Sequence, residues 1–250
     1  MIVVTGATGR TGRAAAEALL AKGEKVRVVG RDAKKMAPFV ELGAKSFVGN
    51  VVDVASMTEA FSGASAVYLV LPEDISQQDL RAHQERVSDC YAAAITNAKV
   101  RFVVSLSSIG AQHAKNTGPI VGLHNLEQKL IRIAGLNVLH LRAAYFMENL
   151  FMSVEPLRSM GTLPGGLQGD VQIPWIATKD IGGYAAIRLA ARDFSGSSIQ
   201  ELQGQRDISM NEAASIVGHS IGMPNLAYAQ VPSMTLGQGL VTMGLPRPQN

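Results

Sequence analysis

Short apolar runs alternate with helical stretches over the first 142 residues of this 250-residue chain, and that alternation constrains the fold more than any other feature. The six runs are IVVT, KVRVVG, AKSFVGN, SAVYLVLP, RFVVSLSS and NVLHLR. Apolar strands separated by helices of about ten residues or more pair in parallel, with both faces of the sheet covered. Because such crossovers are right-handed, the sequence predicts an α/β fold on a doubly wound parallel sheet, the Rossmann architecture.

The pattern changes after Arg142, where a second and smaller lobe is predicted. AAYFMENLFMSVEPLRSMG predicts a helix, TLPGGLQG a turn, and VQIPWIATKDIGGYAAIRLAAR a strand and a helix that return to the main domain. We therefore expect a main domain of residues 1–145 joined by 171–192. Residues 146–170 and 193–250 are expected to form a small C-terminal α/β lobe that binds a substrate or a partner.

The composition of this lobe allows two interpretations. Seven of the ten methionines lie at or after Met147, and no Asp, Glu, Lys or Arg occurs between Glu212 and Arg247. Ordinary packing in a small lobe would account for this bias. An adaptable apolar pocket wall or a subunit interface would account for it equally well, because methionine fills irregular gaps and flexes around varied ligands.

Charge and cysteine content exclude several function classes. The net charge is only +3 with scattered Lys and Arg, so no basic stripe for nucleic acid is expected. Cys90 is the only cysteine and the histidines are dispersed, which predicts neither a disulfide nor a metal site. The apolar runs are too short to span a membrane, and a strand starting at Ile2 leaves no room for a signal peptide. We expect a cytoplasmic protein.

The segment TGATGRTG, residues 5–12, connects the first predicted strand to the first predicted helix. Free backbone N–H groups and the positive end of the helix dipole converge there, which makes an anion site. Gly6 permits the tight turn, Gly9 lets the backbone approach a pyrophosphate, and Gly12 lets the helix pack on the sheet. A glycine trio in this strand–turn–helix context predicts dinucleotide binding.

The end of the second strand distinguishes between the two nicotinamide cofactors. An acidic residue there would bind the ribose 2′-OH of NAD, whereas arginine suits the 2′-phosphate of NADP. The sequence VRVVGRDAKK places Arg31 directly after the strand, and Asp32 is explained as a helix N-cap. NADP(H) is therefore the preferred cofactor, with NAD(H) as the second candidate; a solvated basic helix start is the structural alternative.

Six segments together resemble the NmrA-like family of atypical short-chain dehydrogenases/reductases. They are TGATGRTG, VRVVGRDAKK, GNVVDVASMTEAFSGASAVYLV, VVSLSSIGA, HNLEQKLIRIAGLNVLHLRAAYFMEN and IPWIATKDIG, and they span about the first 190 residues. The chain ends soon after MGLPRP, where many members of that family continue, so part of the small lobe is expected to be absent.

The resemblance assigns roles to individual residues. It implies pyrophosphate contacts from Gly6, Thr8, Gly9, Arg10, Thr11 and Gly12, and 2′-phosphate contacts from Arg31 and Lys35. It places Asn50 and Val51 near adenine, although family members more often carry Asp at the first of these positions. It also places Leu71 and Pro72 beside the nicotinamide ribose, and Ser105, Ser107, Tyr145 and Phe146 around the nicotinamide. Tyr145, Met147 and Asn149 are the expected substrate contacts.

The acid–base pair of ordinary short-chain dehydrogenases is missing, because no tyrosine is followed four residues later by lysine. His124 stands at the family's usual tyrosine position, and Lys129 is one residue out of step. His124 and Ser107 are the catalytic candidates, with a structural hydrogen bond at the helix start as the alternative for His124.

Two functions therefore stay open. We favour an NAD(P)H-dependent reductase that transfers a hydride directly to a quinone-like or other conjugated acceptor, which needs little proton assistance. The alternative is a non-catalytic NADP(H)-sensing regulator that binds a protein partner. A homodimer is possible on either interpretation, since nothing in the sequence sets the oligomeric state.

Overall fold

The computed structural model describes residues 1–72, 74 and 77–232. The chain forms two compact units, the first of Met1–Ala143 with Thr178–Leu202 and the second of Ala144–Ala177 with the chain from Gln203 onward. The strands, numbered along the chain, are β1 (Ile2–Val4), β2 (Val26–Gly30), β3 (Lys45–Val48), β4 (Ala66–Leu69), β5 (Phe102–Ser108), β6 (Asn137–Ala143), β7 (Tyr145–Phe146), β8 (Leu163–Gly165), β9 (Ile173–Ile176), β10 (Ser197–Leu202), β11 (Asp207–Ile208) and β12 (Tyr228–Gln230). The helices are α1 (Arg10–Ala21), α2 (Ala33–Glu41), α3 (Val54–Phe61), α4 (Leu80–Asn97), α5 (Ile120–Ile131), α6 (Val154–Met160), α7 (Thr178–Ala191) and α8 (Met210–Ser220).

The first unit is a seven-stranded parallel sheet in the order β10-β6-β5-β4-β1-β2-β3. One face packs against α1 and α7 through residues such as Leu19 and Leu189. The other face packs against α3, α4 and α5 through residues such as Phe61, Tyr91 and Leu126. Helices cover both faces, as strands that are apolar on both sides require. This arrangement confirms the predicted α/β doubly wound fold.

Aspartate side chains begin three of these helices. Asp32 accepts a hydrogen bond from the Lys34 N–H at 2.8 Å and so caps α2, as predicted. Asp53 caps α3 in the same way. Asp79 caps α4, which starts at Leu80.

The second unit is built on small sheets, one of β11, β9 and β7 and one of β12 and β8. Its core contains Trp175, Leu163 and Met210. The sequence predicted a continuous helix through the segment that follows Arg142. The structure instead pairs Tyr145 and Phe146 with β9, continues as a 3-10 helix over Met147–Ser153, and only then forms α6. Two adjacent aromatic side chains favour a strand beside a neighbouring strand, and that pairing overrides the helical pattern.

Three boundaries differ from the predicted domain limits. Ala144 and Tyr145 belong to the second unit, because Tyr145 pairs there with β9. Residues 193–202 belong to the first unit because β10 pairs in parallel with β6 and extends the large sheet. Residues 171–177 belong to the second unit because β9 pairs there with β7 and β11. The end of the charge-free stretch, from residue 233, lies outside the described residues. Across the described residues, no helix is long and apolar enough to cross a membrane.

Candidate functional site

The glycine loop lies at the carboxyl end of β1, which pairs with β4 on one side and with β2 on the other. Thr5 ties this end to β4, because its hydroxyl donates to the Tyr68 carbonyl at 3.0 Å and accepts from the Val70 N–H at 2.9 Å. Gly6 has a φ of +62°, which favours glycine, and its carbonyl accepts a hydrogen bond from the Gly9 N–H at 2.9 Å. The loop is therefore a fixed tight turn that leads directly into α1.

Gly12 is required by close backbone approach. A Cβ at this position would lie 2.2 Å from the Gly6 carbonyl oxygen and 2.6 Å from its carbonyl carbon. The N-cap of α1 is Gly9, which offers no side-chain cap, and the first turn carries no acidic residue. The N–H groups of the first turn, which have no intrahelical partners, are thus left for an anion, so this backbone fits a pyrophosphate.

A cavity of about 760 Å³ opens beside this loop within the first unit. This volume is in the range of small-molecule and cofactor pockets. It brings together six of the residues predicted to bind cofactor, namely Gly6, Thr8, Arg31, Asn50, Val51 and Pro72. Sequence reasoning missed the other side of the cavity, which is lined by residues that include Val29, Val48, Gly49, Ser56, Val70, Asp74, Gln77, His83, Arg86 and Tyr91.

Several predicted cofactor residues lie near the cavity without lining it. Gly9, Arg10, Thr11 and Gly12 belong to the loop and the first turn of α1. Lys35 is an exposed residue of α2, and Leu71 is buried directly after β4. Their roles toward a cofactor stay predictions.

Arg31 and Asp74 form an ion pair at the cavity, with 3.2 Å between the guanidinium Nη1 and the carboxylate Oδ2. The Arg31 side chain is 73 % exposed, whereas that of Asp74 is 14 % exposed. Gln77 donates a second hydrogen bond to the same carboxylate oxygen at 3.3 Å. The arginine predicted at the end of β2 is therefore present in the cavity, but it already has an anionic neighbour.

His83 is a buried residue of α4 at the edge of the same cavity. Burial lowers the pKa of its imidazole, the carboxylate of Asp74 raises it, and the guanidinium groups of Arg86 and Arg31 lower it. The charges of Asp74, Arg86 and Arg31 therefore all influence the protonation of His83 in this part of the cavity.

Ser107 is part of a buried ionic network between β5, β6 and α5. Its hydroxyl donates to Glu127 Oε1 at 2.6 Å, and Arg142 holds the same carboxylate through Nε at 3.1 Å and Nη2 at 2.7 Å. Because an ionised carboxylate only accepts, the Ser107 hydrogen is committed to Glu127. In this rotamer the Ser107 oxygen can accept a hydrogen bond from a ligand but cannot donate one.

His124 and Lys129 lie on α5 with defined partners. His124 Nδ1 is 2.8 Å from the Ala111 carbonyl oxygen, so this nitrogen carries the hydrogen and Nε2 is left for other partners. The ammonium of Lys129 is 2.6 Å from Glu85 Oε1 and also pairs with Asp89, so it joins α5 to α4. The lysine that is one residue out of step is therefore held in an interhelical ion pair.

Ser105 and His140 are register partners on β5 and β6, and both are buried. Within the described part of the chain, the Ser105 hydroxyl and both imidazole nitrogens have no hydrogen-bond partner. Burial lowers the pKa of His140 to about 4, Glu127 raises it, and Arg142 lowers it. His140 is therefore a neutral imidazole in the folded protein at neutral pH.

We expect His140 to make folding sensitive to acid. An unfolded histidine takes up a proton below about pH 6.5, whereas folded His140 does so only near pH 4, so stability is lost as the pH falls through this window. Relative to wild type, His140→Leu should retain about 2 kcal/mol more of its unfolding free energy between pH 7 and pH 5. Urea titrations at both pH values measure this difference. The same change at exposed His113 is the control, and equal retention in both variants would contradict the assignment.

The second unit contains the residues predicted to contact substrate. Tyr145 packs edge-on against Trp175 with 4.8 Å between ring centroids, and Trp175 Nε1 donates to the Ile208 carbonyl at 2.7 Å. Burial raises the pKa of Tyr145, and a hydrogen bond to Asn149 opposes that shift. Tyr145 and Asn149 are thus in direct contact, while Met147 begins the exposed 3-10 helix. Among the described residues, no cluster of His, Cys, Asp and Glu could hold a metal ion.

Comparisons with known proteins identify several relatives. The chain is 27% identical over 224 residues to a (4-alkanoyl-5-oxo-2,5-dihydrofuran-3-yl)methyl phosphate reductase of Streptomyces griseus. This alignment covers 90% of this chain and 75% of that protein. It is 25% identical over 250 residues to an NAD(P)H azoreductase of Xenophilus azovorans, covering 98% and 82%. The crystal structure of an NADPH-dependent quinone oxidoreductase from Escherichia coli complexed with NADPH superposes with a TM-score of 0.80 at 22% identity, covering 98% of this chain and 84% of that chain.

A family model also matches this chain. The model of the NmrA-like family matches residues 1–249, nearly the whole sequence. Three of the six motifs that suggested this resemblance contribute residues to the cavity lining, namely TGATGRTG, VRVVGRDAKK and GNVVDVASMTEAFSGASAVYLV. With its parallel sheet, its glycine turn and a match along its full length, the chain belongs to the NmrA-like family.

Proposed function

We propose that this protein is an NADP(H)-dependent reductase that transfers a hydride directly to a small quinone-like or otherwise conjugated acceptor. The observation that carries the proposal is the Gly6–Gly12 turn, which opens beside a cavity with Arg31 at the end of β2. The names of the relatives support the reaction class, since they include an NAD(P)H azoreductase and an NADPH-dependent quinone oxidoreductase. NADP(H) is the proposed cofactor, with NAD(H) as a weaker second.

The chain's own residues would bind and orient the cofactor. Backbone N–H groups of the loop and the first turn of α1 would hold the pyrophosphate, and Arg31 with Lys35 would hold the 2′-phosphate. The Asn50 side-chain oxygen accepts from the Val52 N–H at 3.2 Å, which leaves its amide N–H groups for adenine. Leu71, Pro72 and Ser105 would border the nicotinamide half, as would Tyr145 and Phe146.

Proton transfer would be a minor part of the chemistry. Bound NADPH supplies a hydride, that is, two electrons with one proton, and the acceptor needs one further proton. The reduced anion of a quinone or dye is delocalised, so water can protonate it. His124 would assist through Nε2, because Nδ1 is held by Ala111, whereas Ser107 would accept hydrogen bonds and orient the acceptor. Tyr145, Met147 and Asn149 would contact the substrate.

A second function is a redox sensor that binds NADP(H) and docks on a protein partner without turnover. One observation favours it, namely the exposed apolar side chains of the 3-10 helix in the second unit. Phe151 is 64 % exposed and Met152 is 71 % exposed. Exposed aromatic and methionine side chains are typical of contact surfaces for proteins as well as for apolar small molecules.

A direct test combines binding and turnover. The purified chain is titrated with NADPH and NADH by fluorescence, and a panel of quinones and azo dyes is then added while the absorbance of the reduced cofactor is followed. Tight NADPH binding with acceptor-dependent oxidation supports the reductase. Tight binding without oxidation across the panel supports the sensor. If neither nucleotide binds, both functions are wrong.

Arg31→Ala should weaken NADPH binding about tenfold and leave NADH binding within twofold, because NADH lacks the 2′-phosphate that the guanidinium would bind. Dissociation constants from the same fluorescence titration measure both effects. Lys34→Ala, at the second residue of α2, removes a similar positive charge at an exposed position and serves as the matched control. Equal losses for the two nucleotides in the Arg31 variant would contradict the assignment of the 2′-phosphate site.

A further inference from the structure

A carboxylate occupies the place in the cavity where a cofactor phosphate is expected to meet its arginine. Asp74 Oδ2 lies 3.2 Å from Arg31 Nη1, and Gln77 donates to the same oxygen at 3.3 Å. The Asp74 side chain is largely buried while the arginine is exposed, so the carboxylate is the more fixed member of the pair. Both residues line the cavity beside Gly6 and Asn50.

The topology explains how two distant segments reach one point. The sheet order places β1 between β4 and β2, so the chain after β4 and the chain after β2 flank the glycine loop on its two sides. Arg31 follows β2 directly, and Asp74 follows Pro72 after β4. The electrostatic influence of both Asp74 and Arg31 on His83 of α4 is a second sign that these groups share one site.

The acid that follows β2 already has a structural role. In dinucleotide-binding folds an Asp or Glu near that position binds the 2′-OH of NAD, and an arginine accommodates the 2′-phosphate of NADP. Here Asp32 is the neighbouring acid, but its carboxylate caps α2 by accepting from the Lys34 N–H. Asp74, from the chain that follows β4, supplies a second carboxylate beside Arg31.

We propose that Asp74 sets the preference of this site between phosphorylated and unphosphorylated ribose. It competes with the 2′-phosphate for Arg31, and it accepts a hydrogen bond from the free 2′-OH of NAD(H). The inference rests on the proposed cofactor function and deepens it, because it assigns the cofactor preference to an Arg–Asp pair rather than to Arg31 alone.

Charge determines the direction of the effect. A phosphate monoester carries a charge of about −1.5 to −2 at neutral pH, so it is repelled by Asp74 and must share Arg31 with it. Arg86 also lines the cavity and offsets part of this repulsion. Replacing the carboxylate by an amide of the same shape removes the repulsion and releases Arg31, whereas the ribose hydroxyl of NADH loses its charged acceptor.

The experiment compares dissociation constants of the full chain for NADPH and NADH in wild type and Asp74→Asn. We expect NADPH to bind about tenfold tighter in the variant, because Arg31, released from Asp74, can give its full charge-assisted pair to the 2′-phosphate. NADH should bind no tighter. Adenosine 2′,5′-bisphosphate and 5′-AMP, titrated as competitors, test whether the gain belongs to the 2′-phosphate.

Two further variants separate direct competition from a general charge effect. Asp32→Asn removes the same charge one residue from Arg31 and keeps the helix cap, because asparagine caps as well as aspartate. It should change the NADPH to NADH ratio by less than about twofold, since the Asp32 carboxylate is exposed and screened. In an Arg31→Ala background, Asp74→Asn should lose most of its effect on NADPH.

The outcomes are distinct. If wild type binds NADPH and the ratio is unchanged in Asp74→Asn, the inference is wrong while the cofactor assignment stands. If Asp32→Asn produces an equal shift, or if the gain persists without Arg31, competition for Arg31 is wrong. If wild type binds neither nucleotide, the proposed function itself fails, and that result is separate from both of the others.

Discussion

Gly12→Val is expected to weaken NADPH binding at least about a hundredfold, the largest effect of any single change at the proposed nucleotide site. The added Cβ would lie 2.2 Å from the Gly6 carbonyl oxygen, and the contact is with backbone that cannot rotate away. α1 must therefore move off the Gly6–Gly9 turn. The N–H groups that we propose to hold the pyrophosphate would then diverge. Fluorescence titration with NADPH measures the loss.

Gly183→Val is the matched control for this prediction. Gly183 also lies inside a helix, α7, but a Cβ there meets nothing within 4 Å. Valine has a helix propensity no worse than glycine, so this variant should fold and bind NADPH as wild type does. A circular dichroism spectrum first establishes that Gly12→Val is folded, because its Cβ meets backbone rather than a flexible side chain. Unchanged NADPH affinity in folded Gly12→Val would overturn the assignment of the loop.

The sheet and the glycine loop could be predicted because their signals are local. Each strand is a short apolar run, each helix follows within a few residues, and the turn is set by Gly6, Gly9 and Gly12. Parallel pairing then follows because a helix returns the chain to the same end of the sheet before each new strand, which depends on no particular residue. Arg31 was predicted for the same reason, since it directly follows β2.

The parts that sequence reasoning missed depend on pairing between distant segments. Tyr145 and Phe146 form a strand only because β9 lies beside them, some thirty residues later. Asp74 reaches Arg31 because β4 and β2 flank β1. The spacing of residues along the sequence does not predict this pair. The residues after Arg142 have a helical pattern, but pairing with β9 makes the first of them a strand.

The catalytic candidates illustrate the same limit. Ser107 and His124 were chosen by their positions in motifs, and the motifs do not show which hydrogens are already in use. Glu127 commits the Ser107 hydrogen and Ala111 holds His124 Nδ1. Glu127 could have been suspected from an acid on the apolar face of HNLEQKL, three residues after His124. The pairing of Glu127 with Arg142 on β6 could not have been predicted, because it joins two different elements.

Glu127→Leu is expected to destabilise the protein by about 3–5 kcal/mol, the largest stability effect of any substitution considered. Glu127 is 1 % exposed and Arg142 is 12 % exposed, so loss of the carboxylate leaves a guanidinium charge largely buried without its bidentate partner. The Ser107 hydroxyl loses its acceptor as well. Since domains of this kind are stable by only about 5–15 kcal/mol, urea denaturation followed by circular dichroism will detect the change readily.

A double-variant cycle separates the cost of the unpaired charge from the worth of the ion pair. Glu127→Leu combined with Arg142→Met replaces both charges by apolar groups, and it should recover most of the lost stability, because buried ion pairs exchange for apolar packing at little net cost. Glu155→Gln removes one partner of the pair with Arg158, whose side chains are 80 % and 72 % exposed, and it should change stability by less than about 0.5 kcal/mol. If the double variant is as unstable as Glu127→Leu alone, the loss comes from packing around Glu127, and the charge on Arg142 is not its cause.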